Sequence, residues 1–242
     1  MHDLWGRLRP PTLLADAPAL IAVAVPAVLT NIATPVANAY VTRAMAAFGD
    51  GAVAGWAVLG RLTPVAFGAI FALSGTVGPI IGQNYGARAF DRVRATFTQS
   101  LWVTAAFTGL AWVLLAALAR PIAGAFDARG EPAELIVFFC RFLAPLFVFL
   151  GALFVANAVF NTLGRPHTSA VLNWGRATLG TMPFVTVGAY LAGAPGVLAG
   201  SMSGALVFGT LAVWLAYRWI GELAALSVGE ATQAALGPTT KP

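Results

Sequence analysis

The sequence predicts an all-α integral membrane protein, a bundle of six transmembrane helices. Three observations lead there. All nine acidic residues (Asp3, Asp16, Asp50, Asp91, Asp127, Glu131, Glu134, Glu222 and Glu230) fall outside or at the very edges of long apolar runs. The chain is 59% hydrophobic and only 10% charged, with a mean hydropathy of +0.80, whereas a soluble domain averages about 25% charged residues. The runs repeatedly supply the roughly 20 apolar residues that a helix needs to cross a hydrocarbon core about 30 Å thick. Helices are expected because an open sheet edge in lipid leaves backbone groups unpaired.

The spans are expected in order at about 18–40, 52–81, 96–119, 135–160, 169–191 and 196–219. Turn chemistry separates them: Phe48-Gly49-Asp50-Gly51, Gly82-Gln83-Asn84, Leu163-Gly164-Arg165-Pro166 and Gly193-Ala194-Pro195. The expected organisation is a cytoplasmic N-terminal segment (1–17), a six-helix lobe (18–219) and a cytoplasmic tail (220–242) that frays from Gly221 onward. No cleavable signal peptide is expected, because the first apolar segment is full length and lacks a small-residue cleavage site.

Positive charge sets the orientation. Arg7, Arg9, Arg88, Arg92, Arg94, Arg165, Arg218 and Lys241 share one face of this topology, against Arg43, Arg120 and Arg129 on the other. The excess places both termini in the cytoplasm by the positive-inside rule. The same distribution argues against nucleic acid as the partner of this basic chain (pI ≈ 10.1), since the arginines lie between spans rather than in a patch. Trp56, Trp102 and Trp219 fall near predicted span ends, where interfacial tryptophans sit.

Within the spans, Pro26, Pro35, Pro64, Pro79, Pro145 and Pro183 each remove a backbone hydrogen bond and are expected to kink their helices. The freed carbonyls must find partners in protein or in a water-lined cavity. Gly196, Gly200 and Gly204 recur every four residues, and Gly78 and Gly82 repeat the spacing, so both sets are expected to pack against neighbouring backbones. The lone cysteine, Cys140, lies in an apolar run; it excludes an internal disulfide and any multi-cysteine metal site.

Polar residues at membrane depth carry the functional signal. Asn31, Thr34 and Asn38 share one face of the first helix. Asn157 and Asn161 lie four apart near the inner end of the fourth. Such groups either make interhelical hydrogen bonds or line an aqueous cavity; Asn161, close to the interface, is read as the former. Arg61 is read as the deepest charge, with Arg141 and Arg176 nearer span ends and expected to snorkel. No carboxylate accompanies them, so no ion-coupling site is visible. His2 and His167 lie in a tail and a loop, which leaves Ser74 without a base and argues against an enzyme.

Several strings then become recognisable. Pro26-Ala27-Val28-Leu29-Thr30-Asn31-Ile32, Gly60-Arg61-Leu62-Thr63-Pro64 and Gly78-Pro79-Ile80-Ile81-Gly82-Gln83-Asn84-Tyr85-Gly86-Ala87 resemble the multidrug and toxic compound extrusion (MATE) family. So do Asn157-Ala158-Val159-Phe160-Asn161-Thr162-Leu163-Gly164, Asn173-Trp174-Gly175-Arg176 and Met182-Pro183. The match runs from about Leu14 to Trp219 and resembles the C-terminal six-helix lobe of a twelve-helix transporter.

The resemblance implies an antiporter in the bacterial inner membrane that exports cationic, amphipathic drugs or metabolites in exchange for H+ or Na+. It implies no other cofactor and no metal. Asn31, Thr34 and Asn38 would face the substrate cavity, and Arg61, Asn157 and Arg176 would support the polar interior of the lobe. Some family members carry acids on the helices corresponding to the first and fourth; here those helices offer amides. A missing N-terminal lobe or a second copy of the chain is the implied partner. The same spans also fit a lipid-linked flippase, which would require a more basic cavity, or a non-transporting membrane subunit.

Overall fold

The computed structural model describes residues 10–236, and these are helical throughout apart from short turns. Three long helices come first: α1 (Pro10–Ala46), α2 (Asp50–Gly86) and α3 (Phe90–Ala125). The fourth rod consists of α4 (Glu131–Phe138), a π turn (Phe139–Leu143), a 3-10 turn (Ala144–Leu146) and α5 (Phe147–Thr162). α6 (Pro166–Ala177) and α7 (Met182–Leu236) complete the bundle. The first four expected spans and the sixth each fall inside one of these rods, whereas the fifth (169–191) is interrupted by the turn at 178–181 between α6 and α7. Among the described residues, Asp50–Gly86, Phe90–Ala125, Glu131–Thr162 and Pro166–Gly229 are long and apolar enough to cross a membrane. The last holds two expected spans, because Ala192 and Gly193 leave helical geometry and Gly193 adopts a φ of 61°.

Several boundaries differ from the sequence expectation. Gly82-Gln83-Asn84 is helical, and α2 turns only after Gly86, with Arg88 at a φ of 54°. Gly82 keeps only the packing role that its spacing from Gly78 predicts: a Cβ there would lie 3.3 Å from the Thr162 methyl carbon, and one at Gly78 would lie 3.3 Å from the Thr162 hydroxyl oxygen. α7 also continues past Gly221 to Leu236, as its Ala- and Leu-rich run meets no breaker and Arg218 pairs with Glu222 one turn on, at 2.9 Å. Pro183 does not kink a helix. It stands in the first turn of α7, where its missing N–H costs nothing.

Two other prolines do disturb their rods, and the two disturbances meet. Phe67, three residues beyond Pro64, leaves the helical region (φ −116°, ψ 15°). Pro145 lies in the 3-10 turn that follows the π turn. The Phe67 ring stacks on Phe147, at the start of α5, with centroids 4.0 Å apart and planes 4° from parallel. Pro145 cannot donate to the carbonyl of Arg141 four residues back. That carbonyl instead accepts the Trp112 indole N–H from α3 at 2.9 Å. The freed backbone group has therefore found a protein partner, as hydrocarbon surroundings demand.

The Gly196, Gly200 and Gly204 seam presses against the backbone of Gly188, Phe184 and Gly180, where any Cβ would collide with a carbonyl. The stretch of α7 just after the Gly193 break thus folds back tightly onto the stretch before it. Cys140 is buried in the larger hydrophobic cluster, beside Phe139 and Leu143.

Candidate functional site: a polar face on α1 and α2

α1 packs mainly on α6 and α7 and more lightly on α2. Ala33, Ala37, Val41 and Met45 form its buried ridge. Asn31, Thr34 and Asn38 are exposed on the adjoining side. Thr42, one turn beyond Asn38, extends this stripe; its hydroxyl donates to the Asn38 carbonyl at 2.8 Å. Trp56 on α2 donates its indole N–H to the Thr42 hydroxyl at 3.0 Å. On the other flank Tyr40 and Thr186 share a hydroxyl–hydroxyl bond of 2.7 Å. These two bonds pin the C-terminal end of α1 between α2 and α7.

Arg176 is the buried arginine. Only 7% of its surface is accessible, and a terminal guanidinium nitrogen donates to the Thr34 hydroxyl at 2.9 Å. Its Nε has no partner. The expectation that Arg176 snorkels from a span end is overturned, because α1 and the neighbouring turns of α6 and α7 enclose it. Its carbonyl accepts the Thr181 hydroxyl at 2.8 Å, which seals the α6 end of the turn into α7. Arg61 shows the opposite correction: it is exposed on the outward side of α2, not part of the lobe's polar interior. Among the described residues no hydrogen bond or ion pair engages it.

Asn157 lies apart from this face. It is half-buried on α5 against α6, where the Ser169 hydroxyl approaches its carbonyl at 3.4 Å. Asn173 donates to the Ser169 carbonyl at 2.8 Å, and the Asn157 Oδ1 is buried without a partner. The structure therefore joins Thr34 to Arg176, sets Asn31 and Asn38 along the same stripe, places Arg61 on the neighbouring helix and leaves Asn157 elsewhere. Sequence reading missed Tyr40, Thr42, Trp56 and Thr186. Continuing the polar stripe by one turn from Asn38 would have reached Thr42; Trp56 was hidden by its fit to the interfacial belt.

The two outward surfaces flanking this region differ. On α2, Ala54, Ala57, Gly60, Pro64, Ala72, Gly75 and Thr76 are exposed around Arg61. On α3 the exposed residues include Trp102, Val103, Leu110, Val113, Leu114 and Leu118.

Comparison with known proteins places this geometry in a family. The MatE family model matches residues 26–187. An uncharacterized 21 kDa protein from Pseudomonas savastanoi is 37% identical over 183 residues, covering 75% of this chain and 60% of the relative. A protein from Shewanella oneidensis named as an FAD transporter is 31% identical over 196 residues, covering 81% of this chain and 43% of the relative. The crystal structure of the Vibrio cholerae MATE transporter VcmN in its bent form superposes with a TM-score of 0.80 at 25% identity, covering 92% of this chain and 50% of that one. The chain thus spans about half the length of the transporters it matches. Family members are transporters rather than enzymes, handle small organic substrates and are embedded in the membrane. This chain, a helical integral membrane protein, belongs to the MatE family of transporters.

Proposed function

We propose that this chain forms one lobe of a secondary active exporter of small organic solutes, corresponding to the C-terminal half of a MATE transporter. The lobe pairs with a second six-helix lobe, either a separate chain or another copy of itself, and the solute passes between them. Both termini face the cytoplasm of a bacterial inner membrane, with 1–17 serving as a linker-like segment and 220–242 as a tail. Exchange is driven by H+ or Na+, and the coupling acid belongs to the partner lobe. Organic cations fit this reading by family resemblance. A dinucleotide fits it too, given the name carried by the Shewanella oneidensis relative.

The observation that carries the reading is the outward face of α1 and α2. Around Asn31, Thr34, Asn38 and Arg61 it carries small and polar side chains, interspersed with Ile32 and Val65, on a lobe that superposes on half of a complete transporter. Small residues let another helix approach closely, and exposed amides and guanidinium groups are costly against lipid. The test is co-expression with a matching N-terminal lobe in cells lacking their own exporters. Expected is efflux of a fluorescent solute that collapses with the ion gradient. Absence of efflux from the pair, both chains being inserted and stable, would point to a non-transporting subunit.

A further inference from the structure

The exporter reading leaves the chemical class of the solute open, and the charge on this lobe narrows it. The Trp56–Thr42 bond sets α1 and α2 in register, with residues 42 and 56 level on antiparallel neighbours. At about 1.5 Å per residue, Arg61 lies about 7.5 Å inward from that bond, Asn38 about 6 Å and Thr34 about 12 Å. Arg61 and Asn38 are therefore level, and the Arg176 guanidinium on Thr34 sits about one turn deeper. The backbone of Arg61 and the Thr34 level that holds the Arg176 guanidinium thus fall within one helical turn of depth, on neighbouring helices.

Nothing of opposite sign stands there. Among the described residues the acids lie away from this level: Asp16 near the start of α1, Asp50, Asp91, Glu131 and Glu134 in the first turns of α2, α3 and α4, Asp127 paired with Arg129 in the turn after α3, and Glu222, paired with Arg218 and Arg165, and Glu230 in the last third of α7. Arg176 is more than nine-tenths buried and keeps one unpartnered donor. A buried cation without a counter-charge is unfavourable and calls for an anion. A guanidinium meets phosphate oxygens through paired N–H donors, and amides and hydroxyls complete such a site. On this lobe a cationic solute at this depth would meet only like charge.

We propose that the α1–α2 face binds a phosphate-bearing organic anion, with Arg61 contacting the phosphate and Arg176, held by Thr34, positioned as a second charge behind it. This inference rests on the exporter reading and replaces the organic cation with an anion as the transported class.

The experiment uses the full chain in neutral phosphatidylcholine nanodiscs and tritiated adenosine 5′-monophosphate against adenosine, which differ only in the phosphate. The expected result is at least about tenfold tighter binding of the monophosphate. Arg61→Gln, at an exposed side chain without a partner, should bring the two probes within about twofold while adenosine binding stays unchanged. Arg176→Gln should weaken the same preference and Arg176→Lys should retain part of it, which loss of fold would not do. Equal affinity for the two probes, or binding of neither, overturns the proposal. Tighter binding of ethidium that ignores Arg61→Gln does so as well. If added phosphatidylglycerol abolishes the preference, the anion is a lipid headgroup and the solute reading falls. The co-expressed pair separates the two levels: ethidium efflux without export of the monophosphate keeps the exporter and sinks the anion, whereas efflux of neither sinks the exporter.

Discussion

The outward faces of α2 and α3 are both exposed on the lobe, yet they are built from different side chains. α3 turns Trp102, Leu110, Val113, Leu114 and Leu118 outward, with Trp102 73% accessible. α2 turns out mostly small and polar groups, Ala54, Ala57, Gly60, Arg61, Gly75 and Thr76, with Val65, Phe71 and Ile80 among them. In a membrane, exposure by itself does not say what covers a surface, because lipid tails are as apolar as leucine. Side-chain size and polarity do say it. Large aliphatic and aromatic groups suit acyl chains, whereas small and polar ones suit a neighbouring lobe or a wet passage.

The sharpest way to break this contrast is to add a charge to each face. Leu110→Asp should destabilise the inserted lobe by about 2.5–3.5 kcal/mol, the cost of an acid at the centre of a spanning helix. Ala57→Asp should cost well under half of that. Thermal unfolding in nanodiscs reads both, and equal losses would erase the distinction between the faces.

Water access refines it. Asn38→Cys should react with a membrane-impermeant maleimide at least about tenfold faster than Leu114→Cys, a difference of roughly 1.4 kcal/mol in effective access. Comparable labelling would mean that lipid covers both sites.

A smaller effect is expected where the polar face meets the core. Thr34→Val removes the acceptor of Arg176 and should destabilise the lobe by about 1–2 kcal/mol, because a buried charged donor is left unmet. Arg176→Met should lose less, or even stabilise, since an apolar group of similar length needs no partner. A larger loss for Arg176→Met than for Thr34→Val would show that the arginine contributes mainly by packing. The least effect should follow Trp112→Phe, which deletes the indole donor at the edge of the lipid-facing surface for about 0.6–1 kcal/mol.

Much of the fold was legible because lipid imposes a simple rule: length, apolarity and the placement of acids marked the long helices, though not the turn at 178–181. The turns at Gly49, Gly164 and Gly193 were also legible, since each adopts a positive φ. Gly82 was legible in part: its spacing from Gly78 marked a packing seam, but the turn expected there comes only after Gly86, and the occupant of the seam, Thr162, lies some eighty positions away. The site was legible in part. The stripe of Asn31, Thr34 and Asn38 followed from helical periodicity, but the burial of Arg176 did not, because its partner Thr34 is 142 positions distant. Arg61 misled for the converse reason: a central position within a span fixes depth in the bilayer and says nothing about which way the helix turns it.

The indole at Trp112 and the imino acid at Pro145 make a pair whose fates are joined. With alanine at 145, the helix supplies its own donor to the Arg141 carbonyl, and the tryptophan becomes dispensable. Substitutions at the two sites should therefore be epistatic, the double change costing less than the sum of the single ones. Evolutionary drift along this rod has a permitted order, in which the proline departs before the ring that tends to it.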